Sequence, residues 1–145
     1  RSLDISTITA PRLNTMSQTF YNCPKLTSIK FSEEFSASIV EYMDGLFYND
    51  NSLKYLDLSH FDTSRVKQMN SMFEKCNELT SIKLSNSFRT PRLDNMEKMF
   101  LDCKELNNID LSSFVTEQVY NMGQLFSNCA KLTSINIAKW NTKNV

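Results

Sequence analysis

The feature that most constrains this chain is a repeat. Residues 66–76 read V-K-Q-M-N-S-M-F-E-K-C, and the pattern anchored on Met69 recurs at Met16, Met43, Met96 and Met122, at intervals of 27, 26, 27 and 26 residues. A Phe follows four residues after every anchor (Phe20, Phe47, Phe73, Phe100, Phe126) and a Leu ten residues after it (Leu26, Leu53, Leu79, Leu106, Leu132). One such unit is too short to bury its own apolar face, whereas stacked neighbours bury a continuous core. The period therefore predicts a solenoid. Residues 1–145 read as a single repeat domain of five full coils and a partial sixth. Since the chain opens and closes inside repeats, it reads as a fragment of a longer protein.

Within one coil, Leu53-Lys54-Tyr55-Leu56-Asp57-Leu58 has the L-x-x-L-x-L spacing of a leucine-rich-repeat strand. Alternation along a strand turns Leu56 and Leu58 inward and Asp57 outward. A turn leads to an apolar column of Ile8, Phe35, Phe61, Phe88, Phe114 and Trp140. The 27-residue units carry one extra residue in that turn (Phe31 to Phe35 against Leu58 to Phe61), and a surface turn absorbs such insertions. Next, Thr63, Thr90 and Thr116 stand as candidate helix N-caps. Pro91 and the Ala10-Pro11 pair suit a first helical turn, and Pro24 suits a helix stop. Val66, Met69, Met72, Phe73 and Cys76 then make one stripe of a helix of about three turns. The expected fold is an α/β solenoid: a right-handed, leucine-rich-repeat-like stack of 26–27-residue strand–helix coils with a parallel β-sheet on one face. Five or six strands would give one sheet on the order of 25 Å wide.

Equivalent residues stack as columns. The outward strand column is Asp4, Lys30, Asp57, Lys83, Asp110 and Asn136, and its alternating signs favour the intended register. It reads either as a solvated ladder or as a polar recognition strip with Tyr55 as its aromatic contact. The column Cys23, Asp50, Cys76, Cys103, Cys129 reads as reduced, buried thiols, because parallel Cβ vectors are poor disulfide geometry. Asp50 interrupts it, either as a hydrated cap or as a local functional group. Tyr21 and Tyr48 share a column on the opposite side, with Leu101 two units on.

Little points to chemistry. Sixteen basic and sixteen acidic residues balance to zero net charge, which removes the electrostatic case for nucleic acid as a partner. No apolar run approaches a membrane span, so no direct membrane insertion is expected. The single histidine, His60, lies in a turn without a partner at catalytic or ligand spacing, and no C-x-x-C pair suggests zinc. The carboxylates are scattered, and no phosphate loop or G-x-S-x-G is present. The expectation is no catalytic residues, no cofactor and no metal.

The order F-x-T-x-x-V-x-x-M-x-x-M-F-x-x-C, seen in residues 56–76 as L-D-L-S-H-F-D-T-S-R-V-K-Q-M-N-S-M-F-E-K-C, resembles the repeat of BspA-like leucine-rich surface proteins. In particular it is similar to the repeat of unknown function of mycoplasma surface lipoproteins. The resemblance covers essentially the whole chain. It implies a cell-surface or secreted protein used for adhesion or recognition, with protein or other macromolecular partners, host matrix proteins among them. It carries no catalytic residues. The departures (Ile8, Ala10, Thr19, Ala37, Asp50) fall in the first two units.

Two functions fit: a binding module, or a structural stalk that holds another domain off a cell surface. For binding, the strand face offers side chains in rigid register, and the candidate contact is Ser28, Lys30, Tyr55, Asp57, Ser81 and Lys83. Tyr55 stands where the equivalent positions 28, 81 and 134 carry Ser, and aromatic residues anchor interfaces.

Overall fold

The computed structural model describes residues 1–8, 11–35 and 37–145. Its regular elements are six short strands, one per repeat: β1 (Ser2–Ile5), β2 (Ser28–Phe31), β3 (Tyr55–Asp57), β4 (Ser81–Lys83), β5 (Asn108–Asp110) and β6 (Ser134–Asn136). They pair in parallel as β1–β2, β3–β4 and β5–β6, with equivalent residues opposite one another: Leu3 faces Ile29, Leu56 faces Ile82, and Ile109 faces Ile135.

The strand–helix coil is not what the sequence builds. Among the described residues there is no helix, and the strands form three separate two-stranded sheets instead of one. The α/β solenoid with helical coils is therefore corrected on both counts.

Hydrogen bonds and backbone sign explain the missing helix. Along the segments after the first four anchors, alternate N–H groups leave the repeat altogether. Those of Met43, Gly45, Phe47 and Asn49 donate to the carbonyls of Gln68, Asn70, Met72 and Glu74 at 3.0, 2.9, 2.9 and 2.8 Å. The N–H groups between them close tight turns, Leu46 onto Met43 at 3.3 Å and Tyr48 onto Gly45 at 3.1 Å. A helix would send every one of these N–H groups four residues back. In addition, the residues two and six beyond every anchor have positive φ. They are Gln18 and Asn22, Gly45 and Asn49, Ser71 and Lys75, Lys98 and Asp102, Gln124 and Asn128. With Met72 N–H bonded to the Met69 carbonyl and Ser71 at φ 56°, residues 69–72 have the arrangement of a type II turn, and 73–76 repeat it around Lys75 at φ 63°. A left-handed residue every four positions is incompatible with a right-handed helix.

The residues read as helix punctuation take other roles. Thr63, Thr90 and Thr116 are fully buried, and their hydroxyls donate to the next repeat, to the carbonyls of Arg89, Val115 and Asn141 at 2.7, 3.1 and 3.0 Å. They are staples between repeats. Pro91 and Pro24 occupy the second position of the turns closed by Leu93 on Thr90 and by Leu26 on Cys23, where a fixed φ suits the turn. The suggested start at Ala10-Pro11 involves Ala10, which lies outside the described residues.

The strand ladder breaks in a regular way. Paired strands start 26 residues apart; β2 to β3 and β4 to β5 are the two 27-residue steps. At those two steps the extra residue lies between the strand and its buried aromatic, and no strand pairing forms. The insertion is thus not neutral for the sheet. On the other side of the molecule the bridges run unbroken through Thr15, Tyr42, Gln68, Asn95 and Asn121, so the stack remains continuous there.

The inward columns pack as the repeat requires. Val66, Met69, Met72, Phe73 and Cys76 are all 0–1 % exposed. Phe20, Phe47, Phe73, Phe100 and Phe126 form one stack of near-parallel rings with centroids 5.5, 5.5, 5.3 and 5.4 Å apart. Across the core, Phe31, Phe35 and Phe61 form a tilted cluster, and Phe114 lies between Phe88 and Trp140.

Candidate functional site

The six candidate side chains divide between two sheets. Ser28 and Lys30 lie on β2; Tyr55, Asp57, Ser81 and Lys83 lie on β3 and β4. Tyr55 is paired with Ser81 and Asp57 with Lys83. Because β2 and β3 are not laddered, Ser28 and Lys30 are not tied to the other four. The alternating charges pair within sheets. Lys83 Nζ lies 2.9 Å from Asp57 Oδ2, Lys30 reaches back to Asp4 at 3.7 Å, and Asp110 faces Asn136 across the β5–β6 pair.

Asp57 is the best-held group of this face. Its Oδ1 accepts from the Ser59 amide at 3.0 Å and the Ser59 hydroxyl at 2.6 Å, while Oδ2 takes the Lys83 ammonium. Burial pushes its carboxyl up, but Lys83 and Ser59 outweigh that and hold it at about 2. Beside this fixed ion pair Tyr55 is 46 % exposed, and it is the only aromatic among the outward positions of the six strands.

Sequence reasoning did not single out the cleft next to this site. A groove of about 500 Å³ follows the unpaired edges of β4 and β5 and is lined by Ser81, Lys83, Asn86, Asn108, Asp110 and Ser112 among others. It sits at a 27-residue step, so the extra residue in the turn after β4 was the signal that could have located it.

On the opposite side Tyr21 and Tyr48 stack at 4.7 Å with planes 5° apart. Lys75 Nζ donates to Tyr48 Oη at 2.8 Å and stands 5.1 Å from that ring's centre. Leu101 is half-buried.

The cysteine column is free of disulfides, but it is not uniformly buried: Cys76 and Cys103 are buried, Cys129 half-buried and Cys23 exposed. Burial pushes the Cys76, Cys103 and Cys129 thiols up, away from the reactive thiolate. Each donates Sγ–H to the carbonyl of the preceding repeat's stacked Phe: Cys76 to Phe47 at 3.0 Å, Cys103 to Phe73 at 3.1 Å and Cys129 to Phe100 at 3.0 Å. Asp50, in the same column, is fully buried; its Oδ1 accepts the Cys23 N–H at 2.7 Å. It is not a solvent-exposed cap.

His60 is exposed. Among the described residues no cluster of three metal-ligating side chains occurs, and no helix is long and apolar enough to cross a membrane.

No curated protein and no solved structure matches the chain. A family model described as "Mycoplasma protein of unknown function, DUF285" matches residues 2–87 and again 80–145, and the 26–27-residue unit recurs through both matched stretches. With essentially its whole length accounted for in this way, the chain belongs to the DUF285 family of Mycoplasma repeat proteins.

Proposed function

We propose that the chain is a non-catalytic binding module, cell-surface or secreted, that docks a protein partner such as a host matrix protein. This extends its family membership to the adhesive role of the BspA-like leucine-rich surface proteins it resembles. The observation that carries the reading is Tyr55. An aromatic ring 46 % exposed stands next to an Asp57 carboxylate held by three hydrogen bonds, one of them from its ion-pair partner Lys83, which gives an anchor on a rigid base. Ser28, Lys30, Ser81 and Lys83 supply polar contacts around it, and the β4–β5 groove gives the face relief.

The test is binding to immobilised matrix proteins. Tyr55→Ser copies what the equivalent position already carries in four other repeats, so it leaves folding nearly unchanged. Binding lost in Tyr55→Ser with an unchanged melt supports this face. Binding kept there but lost in the Tyr21→Ser, Tyr48→Ser double variant moves the contact to the stacked tyrosines.

A second reading is a stalk that holds another domain away from a surface. The pairing of strand-face charges within the β1–β2 and β3–β4 sheets favours it, since those charges already have partners in the free chain. Absence of binding by the native chain to every matrix protein supports the stalk.

A further inference from the structure

In the repeats headed by Met69, Met96 and Met122, a thiol bridges to the preceding repeat by donating to a Phe carbonyl. The joint between the first and second repeats is built differently. Asp50 replaces the thiol there, and Phe20 is the equivalent Phe, thirty residues earlier as Phe73 is from Cys103. Oδ1 of Asp50 has taken the Cys23 N–H. Its Oδ2 is buried and has no partner. An ionised carboxylate only accepts hydrogen bonds, whereas a carboxylic acid can donate one as the thiols do.

We propose that Asp50 packs as the neutral acid, its Oδ2–H taking the place of the cysteine thiol toward the Phe20 carbonyl, and that its ionisation loosens the first repeat from the second. The joint is then a proton-operated device.

The surroundings support this. The titratable groups facing Asp50 are the Cys23 thiol from the repeat before and the Cys76 thiol from the repeat after. Both are neutral near pH 7, and among the described residues no cation pairs with Asp50. Burial pushes its carboxyl up, the Cys23 N–H offsets part of that, and the group titrates at about 7. An acid whose folded value lies above its unfolded value of 3.8 binds more protons when folded. Its contribution to stability is therefore greatest below the unfolded value and falls as pH rises to about 7.

The experiment compares urea melts of the native chain and Asp50→Cys from pH 5 to pH 8, with the Asp50 carboxyl followed by carbon NMR in the native chain. Expected are a near-neutral carboxyl titration and an unfolding constant that rises by about tenfold or more over this range. In Asp50→Cys, which restores the residue of the other repeats, that rise disappears. Burial also pushes the Asp44 carboxyl up, but that group is common to both chains and its contribution cancels in the comparison. The local character shows in amide exchange: Phe20 and Asn22, which donate to Leu46 and Tyr48, lose protection at high pH before Phe73 does. A carboxyl titrating in the ordinary acidic range, or identical pH profiles for the two chains, overturns the proposal. If Asp50→Cys does not fold, the native carboxyl titration decides alone.

Discussion

Gly45→Ala separates a repeat made of turns from a repeat made of helices by the sign of one number. Gly45 has φ +57°, two residues beyond its anchor. A Cβ built there would lie 3.5 Å from Gln18 Cγ, 3.6 Å from Tyr48 Cβ and 3.8 Å from Tyr21 Cδ2, all ordinary contacts, so no clash obscures the backbone effect. What remains is the cost of a left-handed residue with a side chain, about 1–2 kcal/mol. Lower entropy of the unfolded chain offsets it by up to about 1 kcal/mol. The net expectation is a loss on the order of 1 kcal/mol, read from urea melts with an unchanged m-value. In a helix interior the same change gains about 1 kcal/mol. A stabilised Gly45→Ala would refute the turn architecture.

Other changes test other parts of the structure. Phe73→Ala, which removes a ring stacked on both sides by Phe47 and Phe100, is expected to cost about 3–5 kcal/mol in a urea melt; a change within error would mean the stack is not the core. Thiol counting should find one fast group, Cys23, with Cys129 slower and Cys76 and Cys103 reacting only on unfolding; fast labelling of all four would contradict the burial. Acid should remove the stability that Asp57 lends. Its folded value of about 2 lies below the unfolded 3.8, so that stability is complete above the unfolded value and lost as pH falls through the folded one. Asp57→Asn should flatten this acid limb, and an unchanged acid profile would show that the Lys83–Asp57 pair is not held in solution.

The repeat itself, its inward columns and the outward charge column were legible because stacking makes every fifth-of-the-chain copy obey the same spatial constraint. The Phe and Met columns could only be core. The helix was misread because tight turns mimic its pattern. Turns closed from residue i to i+3 place their end residues in the core, so Val66, Met69, Met72, Phe73 and Cys76 fall inward with spacings of three and four. Those spacings also suit one face of a helix. The contrary signal was present in the residues six beyond four of the five anchors: Asn22, Asn49, Asp102 and Asn128 are of the types that tolerate positive φ, and Gly45 marks the other position. On a helix they pass as an ordinary polar face. Of the candidate site, the Tyr55–Ser81 and Asp57–Lys83 pairs followed from repeat equivalence. The gap between β2 and β3 did not, because one extra residue reads as a harmless surface insertion until the ladder it interrupts is seen.

The measurement that tests the architecture most directly is the hydrogen-bond partner of the Phe73 N–H, read by scalar coupling across the bond. The stacked turns place that donor 2.9 Å from the Met99 carbonyl of the next repeat. The expected coupling is between Phe73 nitrogen and Met99 carbonyl carbon. A coupling to the Met69 carbonyl carbon, four residues back in the same repeat, would restore the helix and contradict the account.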